Sequence, residues 1–170
     1  MNINELSNKY TIRKLNKNDI KDIASLMLNN KQYYKYHPED INMTMIEEEL
    51  TSLPPNKTLD DKYYLGFYDD NRLVCIMDLI DKYPNDSYCY IGFFMMEKEY
   101  QGKGEGTRII KDTLECLKKL EYKNIRLGVD KDNPQSNHFW MKCGFTKTGE
   151  EVKQGIYTYW PMEITLWKEN

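Results

Sequence analysis

The stretch Glu99 to Leu120, EYQGKGEGTRIIKDTLECLKKL, places glycines at 102, 104 and 106 and then runs directly into a helical pattern. The first four N–H groups of a helix have no internal partner, and the helix dipole adds positive potential at the same end. Bare glycine backbone leading into such an end suits an anion, most often a phosphate. The run just before it, Ser87 to Met96 (SYCYIGFFMM), is continuously apolar and aromatic, which predicts a strand buried on both faces. Strand, glycine-rich turn and helix in that order point to a mixed α/β fold with a phosphate-binding turn.

The flanking segments fit that class. YTIRKL (Tyr10 to Leu15) alternates as a strand does, and the following helix sets Ile20, Ile23, Leu26, Met27 and Leu28 on one side. QYYKYHPEDIN reads as a polar, aromatic loop broken by Pro38, and TMIEEELTSL as a short helix stopped by Pro54 and Pro55. YYLGFY and LVCIMDLI flank DDNR, which predicts a hairpin because Asp and Asn tolerate left-handed turn positions. NIRLGV (Asn124 to Val129) is a further strand. NPQSNHFWMKC is a short helix with Asn133 as N-cap, Pro134 in its first turn and Gly144 as its stop. FTKTGEEV and IYTYWPMEITLW close the chain as two strands.

The 170 residues are read as one domain, 1–170, long enough to bury roughly two-thirds of the unfolded surface without a metal or disulfide staple. Cys75, Cys89, Cys116 and Cys143 stand singly in apolar segments and read as reduced core residues of a cytoplasmic protein. No run approaches the roughly 18 apolar residues of a membrane span, and no leader pattern opens the chain. A net charge of −3 argues against nucleic acid as the partner and for a small ligand.

Three glycine-rich motifs compete for the turn. A P-loop needs GxxxxGK followed by Ser or Thr, and a dinucleotide fingerprint needs GxGxxG; both fail on spacing. The pattern Q/R-x-x-G-x-G/A is met by Gln101, Gly104 and Gly106. Here the chain resembles the GCN5-related N-acetyltransferase (GNAT) family. A second family segment, N-x-x-A-x-x-F-Y-x-K-x-G-F, is similar to NPQSNHFWMKCGF, Asn133 to Phe145. IRKLNKNDIKDIASLM is similar to the family's first strand and helix, and WPMEITLW to its last strand. The resemblance implies a mixed, splayed sheet of about six or seven strands with about four helices.

It also implies acetyl-CoA as cosubstrate, with no metal. The backbone from Gln101 through Gly102, Lys103, Gly104, Glu105 and Gly106 to Thr107 would wrap its pyrophosphate. Glu105 replaces the usual aliphatic residue and should weaken binding somewhat. The backbone of Phe94 and Met96 would meet the pantetheine arm, with the Met96 N–H as oxyanion donor. Asn133 suits the pantetheine and the helix cap equally. Phe139 and Trp140 stand where the family has an aromatic and a tyrosine, and an indole cannot lend a proton at neutral pH. The general base is open among Tyr88, Cys89 and Tyr90 of the strand and Asp78, Asp130 and Glu97 outside it, while His37 and His138 read as surface residues.

For the acceptor, the resemblance points to the first two helices, their loop and the last hairpin. Tyr33, Tyr34, Tyr36 and His37 would form one wall and Tyr157, Tyr159 and Trp160 the other, with Glu39, Asp40 and Glu47 to Glu49 nearby to suit a cationic amine. Bulky Phe93, Phe94 and Met95 favour acetyl over longer acyl groups. Transfer of acetyl to a primary amine of a small molecule or peptide in a ternary complex is the leading reading. A CoA-binding sensor without catalysis is the alternative, and dimerisation through the C-terminal strands is an option of a splayed sheet.

Overall fold

The computed structural model describes residues 1–167. An Asn16–Asp19 capping box leads from β1 (Thr11–Lys14) into α1 (Ile20–Asn29), which buries Ile20, Ile23, Leu26 and Met27. Leu28, expected on the same side, faces solvent because it lies one residue past the apolar stripe. The segment read as pure loop contains one helical turn, α2 (Lys31–Tyr34), too short to show a period. α3 (Met43–Thr51) begins where the Asn42 side chain accepts from the Met45 N–H at 3.0 Å and ends ahead of the two prolines.

β2 (Lys62–Asp69) and β3 (Arg72–Asp81) form the expected antiparallel hairpin, with Asp70 in the turn at a φ of 52°. Then come β4 (Tyr88–Met96), α4 (Glu105–Lys119), β5 (Asn124–Asp130) and α5 (Pro134–Lys142). The segment read as one strand after α5 is divided by a turn at Gly149 into β6 (Thr146–Lys147) and β7 (Val152–Gln154). Both pair with β8 (Tyr157–Thr165). The sheet runs β1-β2-β3-β4-β5-β8-β6, and β4 with β5 is the parallel pair. The described residues thus hold eight strands and five helices, the additions being the short pieces too brief for a periodic signal.

Strand alternation feeds two apolar layers. On one face Leu65, Cys75 and Met96 pack with Ile109 and Leu117 of α4 and Trp140 of α5. On the other, Tyr64, Ile76 and Met95 pack with Leu26 and Met27 of α1 and Ile46 of α3. Cys75, Cys89 and Cys116 are buried free thiols, and Cys143 is only half-buried, at the end of α5. No described helix is long and apolar enough to cross a membrane.

The sheet opens between β4 and β5. Their ladder runs from Tyr88–Asn124 to Ile91–Leu127 and stops. Opposite this point the β3–β4 register slips by one residue, leaving Gly92 as the extra residue of a bulge. A Cβ on Gly92 would stand 2.7 Å from Asp78 Oδ2, so a larger residue here would push that carboxylate out of its pairing with Lys62. Consequently β4 is not buried on both faces: Tyr90, Phe93 and Phe94 are half-exposed and Gly92 is open, because β5 has turned away.

Candidate active site

The turn between β4 and α4 is built to meet an anion. Gly102 and Gly104 take φ values of 73° and 81°, and nothing lies within 4 Å of either position's Cβ direction. Gly104 caps α4 with no side-chain hydrogen bond. Among the described residues the amides of Gly102 through Thr107 donate to no backbone carbonyl; the first that does is Arg108, to Gly104. Gln101 differs from the rest. Its amide donates to the Lys98 carbonyl at 3.3 Å, and its side chain braces the site, donating to Asn30 Oδ1 at 2.6 Å and to the Met96 carbonyl at 2.9 Å. Asn30 donates to the same carbonyl at 3.0 Å, a contact between α1 and β4 that no local motif announces.

Glu105 does not point at the turn. Its carboxylate meets Lys9 Nζ at 3.0 Å and accepts from the Tyr10 hydroxyl at 2.7 Å. The Tyr10 hydrogen bond, with help from Lys9, holds it below the usual carboxylate range. The expected repulsion of a phosphate is thereby reduced.

Backbone groups of two residues line the gap. Glu97 N–H donates to the Val74 carbonyl at 2.8 Å, so strand alternation turns the Met96 N–H and the N–H and C=O of Phe94 away from β3 and into the opening, the Met96 carbonyl being held by Asn30 and Gln101. Past Ile91–Leu127 no β5 ladder satisfies them. A cleft of 340 Å3 runs from this edge to the glycine turn, walled by Phe94, Met96, Asn133, Phe139 and Trp140, with Lys98 and Lys142 on its rim. Phe139 stacks on Phe94 with ring centroids 5.6 Å apart, and Trp140 is 7% exposed, wedged against Phe94, Phe139 and Phe145. Asn133 is buried and its Oδ1 accepts from the Ser136 N–H at 3.1 Å, so the capping role is occupied while the residue still borders the cleft. Free amides in sequence, a bare helix end, a cationic rim and an unpaired strand edge fit the pyrophosphate and arm of a coenzyme A.

A second pocket, of 210 Å3, lies on the other side of the parting. Tyr33 lines both, and a 60 Å3 neck shares Gly92, Phe93 and Asp130 with this pocket and Phe94, Ser136 and Trp140 with the cleft. Tyr34, His37, Glu39, Glu49, Tyr90, Tyr157 and Tyr159 complete its walls, whereas Tyr36, Asp40, Glu47, Glu48 and Trp160 lie outside them. Trp160 instead lies under Lys147 Nζ, 4.4 Å from the ring centroid. The wall closes where the Tyr157 hydroxyl donates to the Pro38 carbonyl at 2.7 Å and the Tyr157 ring stacks on His37 at 4.0 Å.

His37, expected at the surface, is half-buried with Nδ1 3.1 Å from Asp130 Oδ1. A carboxylate only accepts, so Nδ1 carries a proton in this pair, while Nε2 lies 3.9 Å from Glu39 Oε2. The other carboxylates considered as bases are occupied. Asp78 is buried in an ion pair with Lys62 at 2.7 Å, and Glu97 accepts from the Lys98 N–H at 2.8 Å. Burial pushes the Tyr90 hydroxyl up to about 12, which keeps it protonated at neutral pH. His138 is exposed at the cofactor-side cleft.

Residues 28–166 match the family model described as Acetyltransferase (GNAT) domain. The chain belongs to the GCN5-related N-acetyltransferase family, a family of acyltransferases. Among solved structures, an acetyltransferase from Thermus thermophilus superposes with a TM-score of 0.74 at 14% identity, over 92% of this chain and 97% of that one. A spermidine N-acetyltransferase from Vibrio cholerae, solved with CoA and spermine, gives 0.69 at 23% identity, over 93% and 96%. A ribosomal-protein alanine N-acetyltransferase from Escherichia coli gives 0.66 at 11%, over 95% and 96%. At these identities the likeness is one of fold. A comparison with curated protein sequences gave no match.

Proposed function

We propose that this chain moves an acetyl group from acetyl-CoA to a primary amine by direct attack in a ternary complex. The observation that carries this reading is the meeting of two clefts at the β4–β5 parting, with Tyr33 in the walls of both. Acetyl-CoA supplies an activated acyl group, a thioester. The free amides of Gly102 through Thr107 hold its pyrophosphate, the backbone of Phe94 and Met96 pairs with the arm as an added strand would, and Asn133, Phe139 and Trp140 pack beside it. The Met96 N–H serves the negative charge that grows on the acyl oxygen, a kind of contact worth about 3 kcal/mol.

On the acceptor side the amine must be neutral before it attacks. His37 Nε2 takes the ammonium proton, and Asp130 fixes the ring and stabilises the imidazolium that results. Tyr33, Tyr34 and Tyr157 form the walls, and Tyr90 remains a hydroxyl donor. Trp140 lends no proton to the departing sulfur, and a thiol of ordinary pKa, about 8.5, leaves as the thiolate without one. The fold carries both small and protein-borne amine acceptors in other members, one described as a spermidine acetyltransferase and one as acting on a ribosomal-protein alanine.

The test is release of CoA thiol from acetyl-CoA with a panel of amines and peptides. At least one acceptor should raise release above hydrolysis, and His37→Gln should lower kcat about 100-fold with little change in the KM for acetyl-CoA. A panel with no amine-dependent release would contradict the reading and favour a CoA-binding regulatory module.

A further inference from the structure

The proton transfer assigned to His37 and Asp130 leaves two carboxylates of the acceptor pocket, and of these Glu39 already lies 3.4 Å from the Tyr157 hydroxyl and 3.9 Å from His37 Nε2. Glu49 of α3 lines that pocket and is partly buried, and among the described residues it makes no ion pair or side-chain hydrogen bond. Burial raises its pKa, an effect that Lys62 offsets only in part. Lys62 itself is committed to Asp78 at 2.7 Å. Beside Glu49 on the same wall stands Tyr34, whose hydroxyl is buried and has no hydrogen-bond partner. No lysine or arginine lines the pocket. A carboxylate drawn out of water without a cation is costly, and an ammonium placed against Glu49 would relieve that cost.

We propose that the acceptor is a small aliphatic diamine or longer polyamine, with its reacting nitrogen at His37 and its second ammonium held by Glu49 beside the Tyr34 hydroxyl. The inference rests on the acetyl-transfer reading and narrows it. The faces of Tyr33, Tyr157 and Tyr159 suit the cationic chain between the two ends. A peptide N-terminus would bring one ammonium followed by neutral main chain and leave Glu49 unpaired.

The experiment compares 1,4-diaminobutane with n-pentylamine, a chain of equal length whose far end is a methyl group, on wild type and Glu49→Gln. Wild type should favour the diamine at least tenfold in kcat/KM, mainly through KM, and Glu49→Gln should bring the ratio close to one. Calorimetry should show 1,4-diaminobutane bound by wild type and at least tenfold more weakly by the variant, whose unfolding shift with acetyl-CoA checks that it is folded. Turnover of both amines without preference, or a preference that survives Glu49→Gln, overturns the diamine and leaves the acetyltransferase standing. Glu49-dependent diamine binding without acetylation keeps the dication site and removes the diamine as acceptor. Neither binding nor turnover of the diamine overturns the proposal, while the amine and peptide panel decides the acetyl transfer.

Discussion

Glu105 shows how a single residue can be out of place in a motif and still be accommodated. A carboxylate inside a phosphate turn is unfavourable, and here Lys9 and Tyr10 take it up and aim it away from the free amides. Gly104 shows the opposite case, since the space around it is empty and only its φ of 81° demands glycine. Gly104→Ala should therefore cost about 1 kcal/mol of backbone strain and weaken CoA binding about tenfold, measured by unfolding and by calorimetry. The glycine turn was legible because its parts are adjacent in sequence. The His37–Asp130 pair was not, because its members are 93 positions apart and each alone reads as a surface polar residue. Glu49 was legible as one acid among several near the aromatic loop; that it forms no ion pair among the described residues was not.

At the scale of elements, β4 shapes the candidate site through what it leaves unpaired. Its apolar composition reads as burial throughout, yet the bulge at Gly92 and the end of the β5 ladder expose its middle. Composition reports what a side chain tolerates, whereas the splay is a property of pairing, and for that reason the strand's existence was legible and its opening was not. The bulge sits against Asp78, whose carboxyl burial raises to about 6 despite the Lys62 partner. A carboxyl with a raised folded pKa stabilises the fold fully below its unfolded value, 3.8, and loses that contribution as pH rises through about 6. Wild type should thus lose stability relative to Asp78→Asn between about pH 4 and about pH 7, as read by denaturant unfolding at each pH. An unchanged difference across that range would show that Lys62 fully compensates the burial.

For the whole molecule, the site exists only because distant parts of the chain converge. Residues near the N-terminus neutralise Glu105, the end of α1 braces the end of β4 through Asn30, and Tyr157 of β8 closes the pocket over Pro38. The order of elements and the family were legible from two motifs in sequence, while the two clefts and their neck emerge only from the assembled sheet. The claim on which the rest depends is that the β4–β5 opening holds acetyl-CoA. It is tested most directly by thermal unfolding with and without acetyl-CoA, using free adenine nucleotides as the control. At a hundredfold excess over its dissociation constant the ligand should add about 2.7 kcal/mol, which for a domain of this size raises Tm by several degrees. The shift should exceed that of the nucleotides and shrink in Gly104→Ala; an unchanged Tm at saturating acetyl-CoA would contradict the account.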